Sequence, residues 1–143
     1  MGPTPATAVE GLIERLRAAG ERITTPKRAL AAALVAADGH RTAEELIAEI
    51  QVGQPDVHKA TIYRNLRSLE DRGIVEHVHL GHGPAVYHLA DKAHHHLVCD
   101  MCGRIQELPD KALAPLLRRL ENDFGFRANS RHFAISGRCS TCR

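Results

Sequence analysis

Two cysteine pairs constrain this chain more than any other feature. Cys99-Asp100-Met101-Cys102 and Cys139-Ser140-Thr141-Cys142 are both CxxC turns, with residues 103–138 between them. A CxxC turn lets two sulfurs reach one ion, and two such turns complete a tetrahedral shell of four thiolates. That is the preference of structural zinc. Gly103 suits the tight turn after the first pair. The competing readings are four unrelated buried cysteines or a lone redox CxxC, and the latter leaves one pair unexplained. A four-cysteine site would staple a C-terminal half that has too little core to stand by itself.

The histidines extend the theme. The chain has 143 residues, ten of them His and four Cys, against two Tyr, three Phe and no Trp. That length allows one compact domain or two very small ones, and very small domains lean on metals, disulfides or a partner subunit. Apolar residues at 43% and charged residues at 25% are ordinary for a globular protein. No stretch approaches the roughly 18 uncharged apolar residues of a membrane helix. The start, Met1-Gly2-Pro3-Thr4-Pro5, has no basic region followed by an apolar run, so the expected location is cytoplasmic. Thiols stay reduced there, which favours metal ligation over disulfides. The net charge of +2 says little about partners, and residues 1–80 hold ten Lys and Arg against eleven Asp and Glu. Any nucleic-acid contact must therefore depend on where the charges sit.

Periodicity changes once along the chain. Val9, Leu12, Ile13 and Leu16 mark a first amphipathic helix ending near Gly20. Thr25-Pro26 reads as the N-cap and first residue of a second helix running to Ala37. Thr42-Ala43-Glu44-Glu45 fits a capping box for a third, and a fourth runs from about Lys59 to Asp71, stopped by Gly73. Ile74–Leu80 and Ala85–Leu89 alternate with period two about a Gly81-His82-Gly83-Pro84 turn, which is a β-hairpin. Helices followed by a hairpin is the order of a winged helix-turn-helix. Residues 90–93 read as a hinge. Two short strands around Cys99 and Ile105, a helix from about Asp110 to Phe124 and a strand from His132 to Ser136 complete an α+β chain. Pro115 predicts a late start or a kink in that last helix. The domain boundaries are thus 1–89, 90–93 and 94–143.

His94-His95-His96 is the densest histidine cluster. In an extended strand His94 and His96 share one face and His95 takes the other. His77 and His79 repeat the i, i+2 spacing on the first strand of the wing. Taken singly, such histidines are more often exposed or hydrogen-bonded than ligands; the pairing is what points to metal. No HExxH, GxSxG or P-loop accompanies them, so the expectation is a non-enzyme with no small organic substrate. A metal-dependent hydrolase or a metal-storage protein is the rival from another class.

The fourth helix opens on Asp56-Val57-His58-Lys59-Ala60-Thr61-Ile62-Tyr63-Arg64. Lys59, Thr61, Tyr63, Arg64 and Arg67 stand away from its apolar stripe. In a helix-turn-helix the second helix presents its N-terminal residues to base edges while nearby cations, here also Arg22, hold phosphates. By itself the segment is read equally well as a solvated helix face.

The pieces "RITTPKRALAAAL", "KATIYRNLRSLEDRGIV", "HHHLVCDMCG" and "GRCSTCR" together span most of the chain. In order and spacing they resemble the ferric uptake regulator family of metal-sensing bacterial repressors. The resemblance implies an N-terminal winged-helix DNA-binding domain, a small C-terminal α/β dimerisation domain, and a homodimer that binds an inverted-repeat operator when loaded with metal. It assigns Cys99, Cys102, Cys139 and Cys142 to structural Zn2+. It assigns His40, His88, His94, His96 and Glu107 to a regulatory divalent ion: Ni2+, Zn2+ or Fe2+. His88 stands where many members carry a carboxylate, which shifts the shell towards nitrogen and away from peroxide sensing. A third family site is matched by His95 and His132, with Ala93 and Ala114 at two of its usual ligand positions. The wing and C-terminal motifs look most like the nickel-responsive branch, whose added site matches His77, His79 and His132. Lys92 replaces the first histidine of that branch's own triplet. Zinc-specific, iron-specific and peroxide-responsive regulators are the alternatives within the family.

Overall fold

Threonines open the first three helices of the computed structural model, which describes residues 4–37, 39–90, 94–129 and 133–143. Thr4 caps α1 (Pro5–Ala18), accepting the Thr7 N–H. Thr24 caps α2 (Thr25–Ala36), accepting from Lys27. The cap is therefore Thr24 and not Thr25, which is already helical. Pro26 moves to the second helical position, where a missing N–H still costs nothing. Thr42 caps α3 (Ala43–Gly53) with both halves of the capping box. Its hydroxyl accepts from Glu45 N–H at 3.2 Å, and its own N–H donates to Glu45 Oε2 at 2.8 Å. α4 (Lys59–Asp71) is stopped by Gly73, whose φ of 66° lies in the left-handed region that suits glycine.

The wing follows. β1 (Arg41–Thr42), β2 (Val75–His79) and β3 (Ala85–Leu89) form a sheet in the order β1-β3-β2. β1 pairs antiparallel with β3, Arg41 opposite Tyr87 and Thr42 opposite Val86. The helices pack their apolar stripes together: Leu12, Ile13, Leu16, Leu30, Leu34, Leu46, Ile47, Ile62, Leu66 and Leu69 are all buried. An ionic tie accompanies this core. Lys27 Nζ, Ser68 Oγ (2.7 Å) and Arg72 Nε all donate to the Glu21 carboxylate, and Arg72 also reaches the Ala19 carbonyl. It joins the corner between α1 and α2 to the C-terminal end of α4.

A second sheet has β4 (His94–Cys99) at its centre, with β5 (Ile105–Pro109) antiparallel on one side and β6 (Ala134–Gly137) parallel on the other. α5 (Asp110–Phe124) joins β5 towards β6. It continues through Pro115 without interruption, so the expected late start does not occur. Pro115 and Lys111, whose carbonyl loses its partner there, are both exposed. The chain divides into two compact units, residues 1–76 with 86–90 and residues 77–85 with 91–143. Residues 91–93 of the expected hinge, and His132 at the expected start of the last strand, lie outside the described residues. No helix among the described residues is long and apolar enough to cross a membrane.

Candidate metal centres and nucleic-acid interface

Cys99 ends β4, and Gly103 turns the chain back towards β5 with a φ of 71°. Because β6 runs parallel to β4, with Gly137 opposite Cys99, the second CxxC arrives beside the first. The four sulfurs lie within 4.8 Å of one another. Cys102 Sγ and Cys139 Sγ are 3.8 Å apart. Zinc–sulfur bonds of about 2.3 Å in a tetrahedron set sulfurs about 3.8 Å from each other, so the cluster fits that ion. The Cys139 N–H donates to Cys99 Sγ at 3.4 Å. That bond, then one from the Cys102 N–H, holds the Cys99 thiol down at about 6. The thiolate is the form a metal takes. Hydrogen bonding with Cys139, then with Cys102, pushes the Cys142 thiol up to about 12.

The first unit carries an imidazole pair. His40 and His88 sit edge to face with ring centroids 4.8 Å apart. His88 is buried. Its Nδ1 lies 3.1 Å from the Leu89 carbonyl, which can only accept. The proton is therefore on Nδ1, and Nε2 keeps the lone pair a metal needs.

The second unit carries another pair. His94 and His96 are also edge to face at 4.8 Å. The strand register sets His96 directly opposite Glu107, on the same face, and His94 Nε2 lies 3.9 Å from Glu107 Oε1. Glu107 is exposed and His96 is buried. Two nitrogens and a carboxylate on one face are donors suited to a borderline divalent ion. His95 points the other way, 2% exposed, with Nε2 2.7 Å from Asp110 Oδ1. That is an ion-pair distance without hydrogen-bond alignment. Asp110 gave no signal in the sequence, since nothing but the turn of β5 into α5 brings it to His95. His77 and His79 on β2 sit edge to face at 5.7 Å.

On α4, Lys59, Tyr63 and Arg64 are exposed and Thr61 is half-buried; Arg22 is exposed in the loop before α2. The Arg64 guanidinium donates to Thr61 Oγ1 at 3.4 Å. Tyr63 has a partner that sequence reading missed: its hydroxyl donates to Glu44 Oε1 at 2.6 Å. Glu44 stood out only as a capping-box neighbour, and its contact depends on how α3 packs on α4.

A family model described as the ferric uptake regulator family matches residues 18–136. The chain belongs to the ferric uptake regulator family. The peroxide-responsive repressor PerR of Staphylococcus aureus is 30% identical over 135 residues, covering 94% of this chain and 91% of the relative. The ferric uptake regulator of Pseudomonas aeruginosa, solved with manganese, superposes with a TM-score of 0.71 at 29% identity, over 90% of this chain and 97% of that one. That of Vibrio cholerae, described with a rearrangement of its DNA-binding domains, gives 0.68 at 28% identity, over 88% and 98%. Family members are transcriptional regulators and not enzymes. This chain is accordingly a DNA-binding, metal-responsive repressor of the ferric uptake regulator family, built as an α+β fold.

Proposed function

We propose that this repressor binds an inverted-repeat operator as a metal-loaded homodimer and controls metal uptake or homeostasis, with nickel the favoured regulatory ion. The observation that carries the reading is the matched imidazole pairs. His40 and His88 belong to the first unit, and His94, His96 and Glu107 to the second. One divalent ion held by both sets supplies a cross-link between the units. Dimeric readers need half-sites at a set separation, so a fixed angle between units selects the DNA-competent dimer. DNA binding must in turn tighten metal binding. His88 is presented in the required tautomer by Leu89, which supports a ligand role.

The nitrogen-rich donor set favours nickel or zinc over harder ions. His77 and His79 make a second imidazole pair that suits an auxiliary ion, with His132 as its third ligand. Zn2+ fills the four-cysteine site. Arg22 and Lys59 hold phosphates, and Thr61, Tyr63 and Arg64 face the bases. Two features support the homodimer. β5 is an edge strand, and Ile105, Leu116, Phe124 and Phe126 around it and on α5 are exposed. A regulator that works on operator DNA belongs in the cytoplasm.

The test is operator binding titrated separately with nickel, zinc, iron(II) and manganese. Nickel should give the tightest complex at the lowest free metal, and equal binding by metal-free and metal-loaded protein would overturn the reading. His94→Ala with His96→Ala should abolish the metal dependence while leaving the fold intact. A second reading, a peroxide-responsive repressor, is favoured by the Staphylococcus aureus relative. It predicts that hydrogen peroxide releases the iron(II)-loaded protein from its operator and leaves the nickel-loaded protein bound.

A further inference from the structure

Tyr63 lies in the second turn of α4 and is 41% exposed. A phenol has one proton to donate and two lone pairs with which to accept. Here the proton is directed at Glu44 Oε1, 2.6 Å away on the first turn of α3. The proton stays on Tyr63. Its hydroxyl pKa is raised, chiefly by the hydrogen bond to Glu44. The same bond, with Lys59 nearby, keeps Glu44 ionised.

We propose that Glu44 is a specificity-determining positioning residue of the reading helix. By taking the only proton Tyr63 can donate, it leaves Tyr63 to meet DNA as an aromatic ring and a hydrogen-bond acceptor. The inference rests on the reading of α4 as the base-contacting helix. A ring edge packs on the thymine methyl group, and a phenol lone pair accepts from adenine N6 or cytosine N4. Guanine offers two acceptors in the major groove and so faces lone pairs with lone pairs. Phe at position 63 would keep the ring and lose nothing the wild type uses as a donor. Removing Glu44 instead would return a free donor to the DNA-facing surface.

The experiment is selection from random duplex DNA by four proteins: wild type, Glu44→Ala, Tyr63→Phe and the double variant. Each is saturated with whichever of the four titrated metals gives the tightest operator binding. Neither wild type nor Tyr63→Phe should select guanine at the position Tyr63 faces, and Tyr63→Phe should also lose the adenine or cytosine preference that the phenol lone pair supplies. Glu44→Ala should gain guanine at one position per half-site, by roughly fivefold, the scale of one mismatched pair. The double variant should return to the Tyr63→Phe profile, since the freed hydroxyl is what reads guanine. Glu44→Gln keeps an acceptor for the phenol and should keep the wild-type profile. A uniform loss of affinity in Glu44→Ala with an unchanged profile would make Glu44 merely structural and overturn the proposal. So would a guanine gain that survives in the double variant or arises in Glu44→Gln. If the wild type selects no sequence at all, the DNA reading itself falls, which is a different result.

Discussion

In the first unit Leu16, Leu30, Leu46 and Ile62 are completely sealed from solvent, and they belong to four different helices. In the second unit the buried apolar side chains among the described residues are Val78, Val98, Cys99 and Leu113, and two of the other buried groups are the imidazoles of His95 and His96. The helical unit is held by apolar burial, which scales with area removed from water. The sheet unit has little such area and holds four sulfurs in its place. A small unit of that kind gains its folding free energy from a bound ion. The same element, β4, carries His94 and His96 at one end and Cys99 at the other. On the proposed reading, an ion in the four-cysteine site would set the strand that carries the proposed sensing ligands, whereas α4 is set by apolar packing.

The contrast can be broken in several places. Cys99→Ser should have the largest effect, because structural zinc contributes on the order of 10 kcal/mol to such units. The second unit should lose its zinc and its cooperative unfolding transition, and the dimer with them, while the first unit's helical circular dichroism persists. A zinc-free variant that stays dimeric and melts normally would erase the distinction. Leu16→Ala, by contrast, should cost about 3 kcal/mol in the first unit and leave zinc content unchanged. Calorimetry with metal analysis reads both. Glu21→Gln should cost about 2 kcal/mol, because it removes a carboxylate that accepts from two cations and a hydroxyl. The sign of its pH dependence is fixed. Lys27 first, then Ser68, lower the Glu21 carboxyl from 4.5 to about 2. Its stabilisation is complete above pH 4.5 and is lost as the pH falls through about 2. Acid titration of the first unit's unfolding should show that loss in wild type and a flatter profile in Glu21→Gln. Thr42→Ala should have the smallest effect, about 1 kcal/mol from one N-cap, again confined to the first unit.

Legibility differed between the units for physical reasons. The α3 capping box, the stripe of α4, the wing and both CxxC turns are local patterns, and each lies in the residues that carry it. The shift of the α2 cap to Thr24 was not legible, since adjacent threonines offer the same hydroxyl and packing of α2 decides between them. β1 is two residues long and has no periodicity; it exists because Tyr87 and Val86 offer it a ladder. Pro115 misled because an exposed helix turn tolerates one lost hydrogen bond. Within the candidate sites, the His94/His96 and His77/His79 pairs could be read from i, i+2 spacing, whereas His40 and His88 are far apart in the chain and are reached only through the family resemblance. The partners Asp110 for His95 and Glu44 for Tyr63 could not be read, because those contacts are made by register and helix packing.

The parallel pairing of β4 with β6 has a consequence for synthesis. When β4 emerges from the ribosome, both strands that pair with it and three of the four cysteines are still to be made. The helices of the first unit have by then left and can collapse on local contacts, the fast route for a growing chain. The second unit must wait for residues 134–142 before its sheet or its zinc site can close. On the proposed reading, each new copy would pass through an interval in which the unit that carries α4 is folded and the unit that carries His94 and His96 is not. During that interval it would have no means of answering to metal.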